Sequence, residues 1–217
     1  MPGYILHLTA AKMFWNLAKN RKLYNENDFY VGNLLPDATS DKKVSHFRNP
    51  EYYGNMIESP DLDMFLEKYR IALDDSTAFG YYFHLYVDRC YFKDYFPMHF
   101  ACLDDNLRLV TRMSEVTNVR INATGEVIPR GCFFSDEYYY GDFTRMNNYL
   151  IERFALRFDF SVPEGERLIT EVNYDDLDGV LDSLNEFTKN SMGVVNELKV
   201  FDLEDLLGFL KRIVEEW

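Results

Sequence analysis

The sequence predicts an all-α fold: one multi-helix domain interrupted by a short irregular or β-hairpin insertion. Three observations carry that prediction. Apolar residues recur at helical spacing over several long stretches, and the region around 117–141 breaks the pattern. No internal repeat, low-complexity tract or Gly/Ser linker divides the 217 residues, so a single domain over 1–217 is expected.

Residues 4–19 read as the first helix, with Ile5, Leu8, Ala11, Phe14 and Leu17 on an apolar stripe and Lys19 and Arg21 near its negative end. Asn27-Asp28 offers a cap for a short helix through Asn33, which the Leu35-Pro36 step should end. Residues 38–59 are polar and punctuated by Pro and Gly, so a long loop with little regular structure is expected. Pro60 fits a first-turn position of a helix running to about Ile71. The stretch from Asp75 to about Phe96 is apolar over much of its circumference, which predicts a helix through the core that Pro97 stops or kinks. Cys102, Leu103, Leu107, Val110 and Met113 predict a further helix over 98–116. Val119–Ile121, the Asn-Ala-Thr-Gly stretch 122–125 and Val127-Ile128 read as a hairpin. Helices are expected again at about 142–157, 174–190 and 202–216, the last capped by Asp202.

Composition excludes several classes of function. A 47% hydrophobic and 17% aromatic chain can bury a substantial core, so disorder is not expected. The formal charge of −13 argues against binding a phosphate backbone or adsorbing to an anionic membrane face. Residues 160–217 hold 14 Asp and Glu against 5 Lys and Arg, which reads as a solvated acidic face. No apolar run approaches the ~18 residues of a membrane span. The opening Met1-Pro2-Gly3-Tyr4 lacks the basic start and apolar core of a signal peptide, so a cytoplasmic location is expected. Cys90, Cys102 and Cys132 lack CxxC spacing and read as core thiols.

The chain has only four histidines. His84 and Asp88 stand four apart on the predicted core helix, so both project from one face. An aspartate among Phe83, Tyr86, Val87 and Tyr91 needs a compensating charge, from a metal or from a basic side chain such as Arg89. His7 lies on or beside the apolar stripe of the first helix, where a hydrogen-bonded core histidine is the alternative to a ligand. Asp37 follows Pro36 at a helix exit, where a capping or turn role is the alternative, and His46 sits on the long loop, where exposure is. Taken together they offer imidazole nitrogens and carboxylate oxygens, the donor set that zinc favours.

Leu6-His7-Leu8, the Pro-Asp at 36–37, Ser45-His46-Phe47 and Phe83-His84-Leu85-Tyr86-Val87-Asp88 follow in order the metal-ligand motifs of the zinc-dependent phospholipase C family, to which the S1/P1 nucleases are more distantly related. The resemblance covers roughly the first 100 residues. It implies an all-helical domain that hydrolyses phosphoesters with zinc, one ion held by Asp37, His46, His84 and Asp88, and His7 joining Asp88 at a neighbouring ion. It further implies that Asp37 is a candidate base for the attacking water. The family's later ligands have no full match. The next histidine slot falls near Asp94, no His-x-x-x-Glu occurs, and His99 is the one histidine left. Asp94 and His99 are therefore a candidate secondary site, and one or two ions are expected rather than three.

The resulting reading is a metal-dependent hydrolase, with zinc or another divalent ion, acting on a small-molecule or lipid phosphoester. Arg48, two residues past His46, is the candidate phosphate contact. Tyr81-Tyr82 and Tyr138–Tyr140 are candidates for lining a pocket or for simple packing. Two alternatives stand. One is a phosphohydrolase of the HD type, whose adjacent His-Asp dyad this sequence lacks; the other is a non-catalytic binding protein stabilised by a metal.

Overall fold

The computed structural model describes residues 3–17, 24–189 and 195–217. The chain is mostly helical and carries one small three-stranded antiparallel sheet. Helix α1 (Tyr4–Leu17) buries Ile5 through Ala11 and Trp15. The expected last turn, with Lys19 and Arg21, lies outside the described residues. Helix α2 (Glu26–Leu34) starts earlier than the sequence suggested, because Asn25 rather than Asn27 accepts the backbone amide of Asp28. Pro36 does not end the helical path. It occupies an early position of a 3₁₀ turn, Leu35–Asp37, where its missing N–H costs nothing.

The loop expected over 38–59 contains the four-residue helix α3 (Lys42–Ser45), capped by Asp41, and a 3₁₀ turn at Pro50–Tyr52. Helix α4 (Leu62–Tyr69) is capped by Asp61, so Pro60 precedes the cap instead of opening the first turn. Helix α5 (Ser76–Cys90) is the predicted core helix. It passes through a π-helical turn, Tyr91–Tyr95, into α6 (Phe96–His99), and Pro97 sits in the first turn of α6 without breaking the path.

The helix expected over 98–116 is absent. Phe100–Leu103 forms strand β1, four consecutive buried residues, paired antiparallel with β2 (Asn118–Ile121). Beyond β1 the Asp104 carboxylate accepts the amides of Asn106 and Arg108 in a turn whose Leu107 has φ +59°, a backbone conformation that a right-handed helix does not contain. The hairpin of β2 and β3 (Val127–Pro129) follows the sequence reading, with Gly125 at φ +73° in its turn. A short helix α7 (Arg130–Phe133) leads to α8 (Tyr139–Phe154), which begins three residues before the expected start. Helices α9 (Leu177–Lys189) and α10 (Leu203–Glu216) follow, and Asp202 caps α10 as predicted by accepting the amide of Asp205.

Buried apolar residues from Ile5 to Val214 form one cluster. Helix α1 is flanked by α2, α5, α8 and α10. Helices α2 and α5 cross at close range. There a Cβ added at Gly32 would meet the Thr77 carbonyl oxygen at 2.0 Å, and one at Gly80 would meet that of Phe29 at 2.0 Å. Only hydrogen fits at both positions, so the two backbones touch. Asp142 on α8 is fully buried and accepts the backbone amides of Lys199, Val200 and Phe201, tying the segment before α10 to α8. Cys90, Cys102 and Cys132 are free, but Cys132 is exposed rather than a core thiol. No helix among the described residues is long and apolar enough to cross a membrane.

Candidate metal centre

Helices α1 and α5 bring His7, His84 and Asp88 to one point in the core, and the segment between α2 and α4 adds Asp37 and His46. Two overlapping groups, His7–Asp37–His84 and His46–His84–Asp88, each offer ligand atoms within 4.8 Å of one another. All five residues are buried, and His46, expected on an exposed loop, has no exposure at all. The short helix α3 buries its own end, and His46 is its C-terminal cap. The next residue, Phe47, adopts φ +49°, a conformation rare for a non-glycine residue, and its ring packs edge-on to Phe65 and Tyr81. That turn aims the imidazole inward.

The hydrogen-bond pattern fixes the protons on both central histidines. His84 Nδ1 lies 2.8 Å from the Asn33 carbonyl oxygen, which only accepts, so Nδ1 carries the hydrogen. Ser45 gives its single hydroxyl hydrogen to the Pro36 carbonyl at 2.8 Å; its oxygen, 3.0 Å from His46 Nδ1, must then accept. Both Nε2 atoms therefore present bare lone pairs, and they face each other at 3.3 Å. Two lone pairs do not attract without a cation or a proton between them. Protonation is opposed by burial, which lowers His46 to about 4 and His84 to about 3, and for His84 the neighbouring His7 adds to that effect.

The carboxylates complete the set. Asp88 Oδ2 is 3.4 Å from His46 Nε2 and 3.9 Å from His84 Nε2. Asp37 Oδ1 is 3.5 Å from His46 Nε2. Metal–ligand bonds of about 2.0–2.1 Å give a tetrahedron with edges of about 3.3–3.4 Å. The His46 distances to His84, Asp88 and Asp37 match such edges, and the His84–Asp88 separation is wider. Neither oxygen of Asp88 accepts a hydrogen bond, although the residue is fully buried. His7 Nε2 is 3.2 Å from Asp88 Oδ1 but off the line of a hydrogen bond, and neither of its nitrogens is satisfied. Its ring stacks on that of His84 at 3.7 Å, nearly parallel. Unsatisfied donors and acceptors at this depth are costly, and a cation would compensate them together. The donor set fits a divalent metal.

Burial works to raise both carboxyls, yet the three histidines hold Asp88 well below the usual carboxylate range, and His84, His46 and Lys42 lower Asp37. Lys42 Nζ lies 3.2 Å from Asp37 Oδ1 and also donates to its backbone carbonyl, which receives the Tyr4 hydroxyl at 3.0 Å as well.

The remaining sequence candidates lie elsewhere. Asp94 is exposed on the π-helical turn, and His99 stacks on Tyr95 with Nε2 3.2 Å from Asp205; neither belongs to a ligand group among the described residues. Arg48 Nη1 pairs with Glu58 at 3.3 Å. Tyr81 is fully buried and donates to the Ser45 carbonyl, so it supports α3 rather than lining a pocket. Sequence reasoning missed Asn33, Ser45 and Lys42. Ser45 was readable beside His46, but Asn33 acts through its carbonyl, which leaves no trace in residue type.

No protein-family model matches this chain, and no curated protein or solved structure matches it.

Proposed function

We propose that this chain is a metal-dependent hydrolase of phosphoesters, holding one or two divalent ions, zinc by donor preference, with His7, Asp37, His46, His84 and Asp88. The observation that carries the reading is the pair of imidazole lone pairs facing each other at 3.3 Å beside a buried carboxylate with no hydrogen-bond donor. The order of the ligand motifs, which resembles the zinc-dependent phospholipase C family, supports the choice of phosphoester chemistry. A bound divalent ion supplies Lewis acidity toward a water molecule and a phosphoryl oxygen.

The chain's own residues supply orientation and a base. The Asn33 carbonyl and the Ser45 hydroxyl fix the tautomers that leave both Nε2 atoms free. Asp37 is the most exposed of the five, at 8%, and its lowered pKa keeps it ionised. It is the residue suited to accept a proton from an attacking water. Lys42, 3.2 Å from its Oδ1, helps to hold that carboxylate in the ionised form able to accept.

The same burial favours a second reading, a structural metal in a binding protein, because catalytic sites keep a position open to water. Elemental analysis of protein purified without added metal is expected to give one to two zinc ions per chain, and His84→Ala and Asp88→Asn should each remove most of it. Unchanged metal in both variants would sink the site. Metal with no turnover of bis(4-nitrophenyl) phosphate or 4-nitrophenyl phosphate favours the structural reading.

A further inference from the structure

A cleft of about 610 Å³ opens between the loop after α3, the π-helical turn and the start of α7 and α8; none of the five candidate ligands lines it, but close sequence neighbours of His46 and Asp88 do. Lys43 and Arg48, which flank His46 at three and two residues, both line it. Phe92, one helical turn past Asp88, forms part of its wall. So does Tyr139, whose hydroxyl meets that of buried Tyr91 at 2.8 Å. The volume lies within the range of small-molecule sites.

The charge of the cleft opposes that of the chain. Its lining holds three cations, Lys43, Arg48 and Arg130, against the single carboxylate of Glu58, in a protein of net charge −13. Glu58 is already engaged, since one oxygen pairs with Arg48 at 3.3 Å and the other accepts the Gly54 amide at 2.7 Å. Arg48 is therefore largely neutralised. Lys43 and Arg130 have no carboxylate partner among the described residues. Lys43 Nζ sits 4.2 Å over the Tyr53 ring, and Arg130 donates one guanidinium N–H to the Met113 carbonyl at 2.9 Å. Apart from Asn55 and two glycines, the rest of the lining is apolar or aromatic, including Phe96, Phe134, Tyr140 and Met56.

We infer that this cleft binds an anionic phosphate-type head carried on an apolar body, and that Lys43 and Arg130, not Arg48, set that preference. The inference rests on the phosphoester reading and deepens it. A cationic wall over aromatic side chains favours a dianion with a hydrophobic substituent and rejects a quaternary ammonium, which would meet Lys43 and Arg130 as like charges. The body is either aryl or acyl-like, and both share the same head chemistry.

The test is calorimetric titration of phenylphosphonate, hexylphosphonate, inorganic phosphate and phenyltrimethylammonium into the protein as purified and after chelator treatment. At least one phosphonate is expected to bind five-fold or more tightly than inorganic phosphate and than the ammonium ion. The tighter of the two identifies the body. Lys43→Gln with Arg130→Gln should weaken it five-fold or more, and Lys43→Glu, a change at an exposed side chain, should do so in a protein of unchanged circular dichroism. Equal binding of phenyltrimethylammonium, or an unchanged dissociation constant in both variants, overturns the inference. Phosphonate binding without detectable metal sinks the metal reading alone; metal without phosphonate binding sinks this inference alone.

Discussion

His46 and His84 each use one ring nitrogen for the protein and leave the other bare, and this division sets how the site responds to acid. Burial lowers both below their unfolded value of about 6.5. The unfolded chain therefore takes up protons that the folded chain refuses. Stability is fully present above the unfolded pKa and declines as pH falls toward the folded values. For His46, lowered to about 4, the loss by pH 4.5 is on the order of 3 kcal/mol. Urea midpoints measured with a chelator present should be flat from pH 8 to about 7 and drop steadily below 6.5. A midpoint unchanged down to pH 5 would mean that the imidazoles protonate inside the fold. At this scale the sequence displayed the donor atoms, because His-x-x-x-Asp on an apolar helix and Ser-His-Phe are visible as letters. It did not display the tautomers, which depend on a carbonyl and a hydroxyl brought in by neighbouring turns. It also gave no reason to expect the four donors that surround Asp142, three of which are backbone amides contributed from residues 199–201.

The contact of α2 with α5 governs the site at the level of elements. Asn33 and His84 sit one and four residues beyond Gly32 and Gly80, so their 2.8 Å hydrogen bond depends on the backbones touching. Gly80→Ala places a methyl group where the Phe29 carbonyl stands, and the helices must separate. The expected cost is about 1–3 kcal/mol, or a Tm lower by roughly 2–4 °C for each kcal/mol, together with reduced metal content. Gly208→Ala on α10, where nothing lies within 4 Å, should leave both unchanged or raise Tm slightly. Equal Tm and metal content in the two variants would show that the crossing is not needed. Helix α5 was legible because its apolar residues cover much of the cylinder's circumference. The stretch 98–116 was not, since Cys102, Leu103, Leu107 and Val110 satisfy a helical spacing while forming a strand and a turn. What decided it was pairing with residues 118–121, a contact that local periodicity does not contain.

Across the whole molecule, net charge and local charge carry different information. A total of −13 correctly describes a mostly acidic chain but conceals a cationic cleft in which residues 43 and 48 meet the distant residue 130. The mainly helical expectation was met and the hairpin of β2 and β3 falls within the expected insertion; strand β1 was not foreseen, and the three strands together hold few residues and leave the helical core around α1 and α5 intact. Burial of the centre has a similarly global origin, because four helices surround α1 and the turn at Phe47 closes one side.

That closure sets a clock for the centre. Asp37, at 8%, has the only exposure above 1% among the five candidate ligands, so an ion held as proposed could leave only when α3 and its flanking turns swing away from the core. Removal by a chelator should then proceed at the frequency of that opening. The rate constant for zinc loss, followed with a chromogenic chelator, is expected to level off as chelator concentration rises. A rate that keeps climbing in proportion to chelator would mean that the door stands open.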